Sequence, residues 1–373
     1  MIQWALMKRL FLTLLFLSTI DSLYAATFTK AAWVPYWRKT DGASTTLANL
    51  SSFTEISPFS YEVTETGSLK DAARIREEPW ASLLKDAQKR GIKVYPSILW
   101  IDRQAMETVL NNKIERKYHI EEIISEVVYH KFDGIDIDYE GKSAETREGF
   151  SLFLKELSTA LKKNKKKLVC TIEARTPVES RYSKVTKELL ARIEYSNDFK
   201  VIGRVCDQVR IMTYDQVDGD VQLSTLNKNE LYRPVADLAW VKKVLTLALR
   251  DIPASKIVVG VATYGYKYEY TQGVDGISYR RIGSMNYKYA DELAKVLQIT
   301  PRRNKAGELD FSYATTTDLS NKVPGTLKNY YVTYSDVGAI QEKIKIAKLY
   351  KLGGIAIFKI DGAQDPKVFE AIK

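Results

Sequence analysis

Cysteine and histidine are almost missing from this sequence. Each occurs twice in 373 residues, as Cys170 and Cys206 and as His119 and His130. Two cysteines cannot build the framework of a disulfide-stapled domain, so no such framework is expected to support the fold. The histidines fall too far apart along one helical stretch to act as paired ligands on adjacent turns, and no metal site is expected. No glycine-rich phosphate loop follows an early strand, which leaves a nucleotide-binding open sheet without its usual signature. No cofactor is therefore expected. Internal repeats, low-complexity tracts and linkers are absent as well. The apolar run over 10–20 is too short to hold a stable membrane span.

What is present describes a globular protein. Hydrophobic residues make up 45% and charged residues 27%, enough apolar matter for a full core. Lys8 and Arg9, the apolar run 10–20 and the small residues Ala25 and Ala26 have the layout of an export signal. Cleavage is expected near Ala25, leaving 26–373 as the mature chain, secreted, periplasmic or associated with the cell wall, with no integral anchor. Losing Lys8, Arg9 and Asp21 lowers the net charge from +10 to about +9. A basic exported protein will associate with anionic polymers such as wall material, although the same charge also serves plain solubility. The lysine run over 162–167 contains no interleaved aromatic residue, so it is taken as a solvated helix end and not as a nucleic-acid surface.

Short apolar runs alternate with amphipathic helix patterns. Strands are expected over 32–36, 55–59, 93–98, 134–139, 167–174, 208–213, 257–263 and 354–359. Helices are expected over 80–90, 120–131, 146–163, 240–250 and 336–349. Strictly alternating elements imply parallel crossovers, and eight strands are the number that closes a (β/α)8 TIM barrel. A doubly wound open sheet is the competing arrangement. The spacing breaks once, between the seventh and eighth strands. A small α+β insertion is expected there, over about 269–333, with one helix at 289–298. Loops at that end of a barrel build the active site, so the insertion should wall one side of the cleft.

The most informative stretch is Asp133-Gly134-Ile135-Asp136-Ile137-Asp138-Tyr139-Glu140. Successive side chains of a strand point to opposite faces, so Asp136, Asp138 and Glu140 share one face and Ile135, Ile137 and Tyr139 share the other. Core packing does not call for three acids in a row. Crowded, partly desolvated carboxylates raise one another's pKa, which keeps one protonated near neutral pH, as a general acid requires. A solvated edge strand or a calcium loop would be the bland alternative. A calcium loop, however, separates its ligands by polar residues and glycine, and here large apolar residues separate them.

Asp-x-x-Asp-x-Asp-x-Glu, formed by Asp133, Asp136, Asp138 and Glu140, resembles the signature of glycoside hydrolase family 18, the chitinase-like hydrolases. Met212-Thr213-Tyr214-Asp215 resembles that family's Met-x-Tyr-Asp motif at the end of the sixth strand. Pro58-Phe59-Ser60-Tyr61 resembles the second strand of its spore-cortex and cell-wall members. The resemblance implies that Glu140 is the general acid and base and that the substrate's own acetamido group is the nucleophile. It implies that Asp138 orients the acetamido nitrogen, with Asp136 sharing a proton beneath it. Tyr214 would hold the acetamido carbonyl, and Asp215 would contact the sugar. Asp133, on the other parity, is assigned a structural role. Met212 faces inward beside Tyr214, and Tyr36, Phe59, Trp100 and Tyr264 are candidate sugar platforms.

Two departures from the family pattern stand out. Ser97-Ile98-Leu99-Trp100 replaces Ser-x-Gly-Gly, adding bulk to the third strand. Phe358 replaces the eighth-strand tryptophan that floors the reacting subsite, with less area and no N–H donor. Both argue against crystalline chitin as a substrate. Thr171, Glu173 and Arg175 share a face of the fifth strand, and a buried Glu173 would need Arg175 or Arg210 as its partner. The expected protein is an exported glycosidase that cleaves β-1,4 bonds next to N-acetylglucosamine, in chitin-type oligomers or peptidoglycan. A lectin-like carbohydrate binder or a wall-associated scaffold on the same fold would be the alternatives. The presence of Glu140 speaks for the enzyme.

Overall fold

The computed structural model describes residues 28–317 and 324–373, residue 218 excepted. The expected export signal lies outside them. Strands β1 (Thr29–Pro35), β2 (Glu55–Val63), β3 (Leu69–Asp71), β4 (Lys93–Val94) and β5 (Ser97–Trp100) open the chain. Strands β6 (Gly134–Tyr139), β7 (Lys167–Glu173), β8 (Gln208–Met212) and β9 (Ile257–Ala262) follow, each after helical segments. Strands β10 (Tyr264–Gly273), β11 (Gly276–Asn286), β12 (Arg302–Arg303), β13 (Leu309–Thr317) and β14 (Pro324–Tyr334) come next, and β15 (Gly354–Phe358) is last.

Eight of these strands are parallel neighbours in the order β1-β15-β9-β8-β7-β6-β5-β2, and β2 pairs β1 to close the ring. The result is a (β/α)8 barrel. Strands β6 and β9 are buried along their whole length, as parallel strands covered by helices on one side and barrel interior on the other must be. Ile135, Ile137 and Tyr139 enter the layer between sheet and helices, where Tyr139 stacks on Phe153 of the helix Arg147–Lys163. Gly134 is required by the close approach of β7. A Cβ there would stand 2.0 Å from the Lys167 carbonyl oxygen.

Two expectations are corrected by local chemistry. The strand expected over 93–98 is split into β4 and β5, because Pro96 has no N–H to donate to a ladder. Cys170 on β7 and Cys206, just before β8, are joined by a disulfide at a Cα separation of 6.1 Å. A covalent tie therefore does support the barrel, since neighbouring parallel strands bring together residues 36 apart in sequence.

The insertion after β9 is a five-stranded antiparallel sheet in the order β11-β10-β14-β13-β12, with the helix Tyr287–Val296 against one face. It begins at Tyr264, earlier than expected. Tyr264, Tyr266, Tyr268 and Tyr331 carry its other face toward Tyr214 at the barrel mouth. All four are buried there.

Candidate active site

The three acids of β6 descend from the barrel mouth into its interior, and each meets a different environment. Asp136 is fully buried and satisfied. Its Oδ2 accepts from Trp33 Nε1 at 2.9 Å, Ser97 Oγ at 2.6 Å and Arg210 Nη1 at 3.2 Å, and its Oδ1 accepts from Thr171 Oγ1 at 2.7 Å. Arg210 is itself held by Glu55 at 2.7 Å, Ser57 and Gln208. The bonds to Asp136 come from these four donors and not from Asp138. A proton shared between the two acids, as the family resemblance implied, has no hydrogen bond to carry it here.

Asp138 is only 2% exposed, and its Oδ1 has no hydrogen-bond partner. Burial, reinforced by the charges of Glu140 and Asp136, pushes its carboxyl well above the usual carboxylate range. Glu140 follows at the strand end, where its N–H donates to the Trp100 carbonyl at 2.8 Å. Burial first, and then Glu173 and Asp215, raise its pKa against the opposing pull of Lys142. Asp133 accepts from the Val94 N–H at 3.0 Å and from Lys93 at 2.9 Å, pinning β4 to the start of β6.

Lys142 was not singled out from the sequence. It is 8% exposed, donates to the Tyr139 carbonyl and lies 3.5 Å from Glu173. Burial lowers the pKa of its ammonium. Glu173 also accepts from the Gly141 N–H at 2.8 Å and from Asn197 Nδ2 at 2.7 Å. Burial acts upward on Glu173, but Lys142 and these bonds hold its pKa below the ordinary value. Its partner is therefore Lys142 and neither Arg175 nor Arg210. A lysine two residues beyond the last acid of the motif, Glu140-Gly141-Lys142, was the available signal.

The β8 end supplies the facing wall. Tyr214 is 7% exposed and stacks on Phe358 with ring centroids 5.2 Å apart and planes within 10°. Asp215 has a positive φ of 57°, a strained turn for a non-glycine residue. Tyr264 at 2.9 Å and Tyr266 at 2.5 Å donate their hydroxyls to it. Tyr264 thus orients Asp215 and does not present its face to the cleft. Phe358, half-buried, sits among Trp33, Phe59, Tyr214 and Tyr264. Phe59, 5% exposed, belongs to that same barrel-interior cluster.

Trp100 does not reach the cleft. It is 1% exposed and packs on Tyr139 and His119 in the layer behind β5, so the bulk it adds lies on the helix side. Tyr36 bonds Glu62 and meets Trp37 edge-on. Trp37 is the aromatic residue that sequence reading missed. It is 46% exposed and reaches Phe59 at 5.7 Å, with Lys359 over its ring. Its adjacency to Tyr36 at the end of the first strand was the clue.

Glu140, Met212, Tyr214 and Asp215 line one cavity of about 540 Å³, together with Lys142, Glu173, Arg175 and Tyr195. Tyr36, Phe59, Tyr264 and Phe358 lie outside that lining. Within the cavity Glu173 is taken by Lys142 and Asp215 by two tyrosines, while Glu194 stands exposed at the rim. One carboxyl, Glu140, is free, half-buried and raised in pKa. The site can deliver a proton and take it back.

Known proteins share the sequence pattern and the fold of this chain. Residues 32–363 match the model of glycosyl hydrolases family 18. The uncharacterized glycosylase YvbX of Bacillus subtilis is 25% identical over 83% of this chain and 83% of its own length. The cortical fragment-lytic enzyme of the same organism is 21% identical over 82% of this chain and 64% of its length. Among solved structures, a chitinase of Chromobacterium violaceum superposes with a TM-score of 0.72 at 18% identity, covering 92% of this chain and 98% of that one. The spore cortex-lytic enzyme SleL of Bacillus cereus gives 0.70 at 21% identity, covering 92% and 73%. The match spans nearly the whole barrel and includes the strand that carries Glu140: the chain belongs to family 18 of the glycosyl hydrolases.

Proposed function

We propose that this glycosidase is exported and cleaves β-1,4 bonds next to N-acetylglucosamine by a substrate-assisted, retaining mechanism. The observation that carries the reading is the unpartnered Oδ1 of buried Asp138, two residues inward of Glu140. A buried acceptor without a donor costs about 1–3 kcal/mol, and an acetamido N–H seated above β6 would supply the donor. Asp138 then aims the acetamido oxygen at the anomeric carbon, and Tyr214 bounds the far side of that group. Glu140 protonates the leaving oxygen, and as carboxylate it later activates the water that opens the cyclised intermediate. Of the other carboxylates lining the cavity, Glu173 is held by Lys142 and Asp215 by two tyrosines, and Glu194 stands at the exposed rim, which favours the substrate's own group.

The polymer is peptidoglycan in preference to crystalline chitin. Similarity to a cortical fragment-lytic enzyme and to the spore cortex-lytic enzyme SleL supports this preference. Export is supported by the leader pattern and by the Cys170–Cys206 disulfide, which persists in an oxidising compartment.

Glu140→Gln keeps the shape and removes the proton. Turnover of N-acetylglucosamine oligomers should fall about a hundredfold or more while oligosaccharide binding survives. A thiazoline analogue of the cyclised intermediate should compete with substrate, and glucose oligomers without the acetamido group should stand intact. Efficient cleavage of glucose oligomers would defeat the mechanism, and a variant with near wild-type turnover would defeat the assignment of Glu140.

A further inference from the structure

The cavity that holds Glu140 continues past β7 to a guanidinium that forms no ion pair among the described residues. Arg175 lies two residues beyond Glu173, half-buried between two rings. Its guanidinium carbon is 3.6 Å from the Phe199 centroid and 4.2 Å from that of Tyr195. Its one hydrogen bond is a long one, from Nη1 to the Asn197 carbonyl at 3.4 Å. Five N–H donors are thus held in a fixed plane with almost nothing to donate to. Among the described residues no carboxylate lies within 4 Å of it.

Of the nearby acids, Asp251 acts on Arg175 only from beyond ion-pair distance, and none of the others pairs with it. Glu173 belongs to Lys142, Gly141 and Asn197. Asp198 is 2.8 Å from Arg147 and caps the helix Phe199–Val205 through the N–H groups of Lys200 and Val201. Glu194 is exposed at the rim and makes no ion pair among the described residues. Arg181, on the short helix Val178–Arg181, lines the same cavity, 5.8 Å from the Tyr195 ring, so a second cation faces the opening. Taking a charge out of water without a counter-charge is costly, and the rings hold this one in place.

Resting on the hydrolase reading above, we infer that Arg175, assisted by Arg181, selects substrates that carry a carboxylate beside the N-acetylglucosamine whose bond is cleaved. A planar guanidinium recognises a carboxylate bidentately, and the bond gains strength in a half-buried wall. Two carboxylates of a peptidoglycan strand have this chemistry: the lactyl group of a peptide-free muramic acid and the terminal carboxylate of a short peptide stem. Chitin has neither.

Four glycans separate the possibilities: a neutral N-acetylglucosamine oligomer, a peptide-free alternating glycan with free lactyl carboxylates, the same glycan with those groups amidated, and one whose only carboxylates end a peptide. The intact protein should show a higher kcat/KM on a carboxylate-bearing glycan than on its amidated counterpart. Arg175→Gln should reduce that ratio about tenfold or more, and Arg175→Lys should retain part of it. Which acidic glycan loses its advantage identifies the source of the carboxylate. The dissociation constants of the same glycans, measured on Glu140→Gln and on Glu140→Gln combined with Arg175→Gln, should follow the same ratio and do not depend on turnover. Equal rates on charged and amidated glycans, or an equal loss on all four in Arg175→Gln, would overturn the inference. Hydrolysis of the neutral oligomer would leave the hydrolase reading standing in either case. If no glycan is hydrolysed, that reading falls, and the binding ratio alone decides the role of Arg175.

Discussion

Asp136→Asn separates two roles for the innermost acid of the motif. If Asp136 anchors the barrel interior through Arg210, Trp33, Ser97 and Thr171, losing its charge must cost stability. An amide keeps one oxygen for three of those donors and turns its NH2 toward Thr171, whose hydroxyl can reverse and accept. Shape and most bonds survive; the charge does not. Breaking a buried ion pair costs about 3–5 kcal/mol, and the remaining pair from Arg210 to Glu55 places the loss toward the lower end. Unfolding entropy of about 2.1 cal/mol/K per residue gives roughly 0.8 kcal/mol/K for a chain of 373 residues. The melting temperature should therefore drop by roughly 4–6 °C at neutral pH, read by calorimetry or circular dichroism. The structure also makes Asp136 one of the charges that raise Asp138, so the same variant should lower the pKa of Asp138. A variant that melts within about 1 °C of the wild type yet loses most of its turnover would refute the anchoring argument and restore a proton-sharing role.

Asp138→Asn should make the protein more stable at neutral pH and less active. A carboxyl whose folded pKa lies above its unfolded value stabilises the fold fully below the unfolded value, and that stability is lost as pH rises toward the folded one. The asparagine variant cannot ionise, so its melting advantage should appear at pH 7 and vanish below about pH 4, the ordinary aspartate value; an advantage that is constant across the range would mean another cause. Replacing Cys170 and Cys206 together by alanine opens a loop with a sequence separation of 36, for which loop entropy gives about 4 kcal/mol. Melting should fall by roughly 5 °C, and added reductant should destabilise the wild type while leaving the variant unmoved.

The barrel was legible because its strands obey two simple rules. Parallel strands buried on both faces read as short apolar runs, and the lone break in their spacing marked the insertion. The acid triad was legible for a stronger reason: period-2 alternation puts Asp136, Asp138 and Glu140 on one face whatever surrounds them. Partners chosen by tertiary proximity were not legible. Glu173 pairs with Lys142 from the neighbouring strand end and not with an arginine on its own or the next strand. Cys170 and Cys206 meet because β7 and β8 are neighbours, which no count of cysteines could show. Trp100 looked like a sugar platform by residue type, yet strand parity turns it toward Tyr139 and the helices. Trp37 stands outside any strand, where parity has no say.

The ordering of environments along β6 explains why three identical chemical groups can do three things. At the bottom, four donors, one of them a guanidinium, fix Asp136 as the acceptor on which Trp33, Ser97, Thr171 and Arg210 converge. In the middle, Asp138 has burial without compensation, so its charge is expensive and its carboxyl holds a proton upward of the usual range. At the top, Glu140 meets solvent and the cavity, and its proton can leave. Moving any donor from the lower level to the middle one would satisfy Asp138, lower its pKa and remove the neighbouring charge-sensitive group whose proton Glu140 competes for. Lys142 is a cation whose charge already pulls the pKa of Asp138 down, and Glu173 is the group it pairs with. The carboxylate with no part in the motif is thereby tied to the motif's working: Glu173 keeps the lysine occupied, raises Glu140 by its own charge, and leaves Asp138 wanting the donor that a substrate brings.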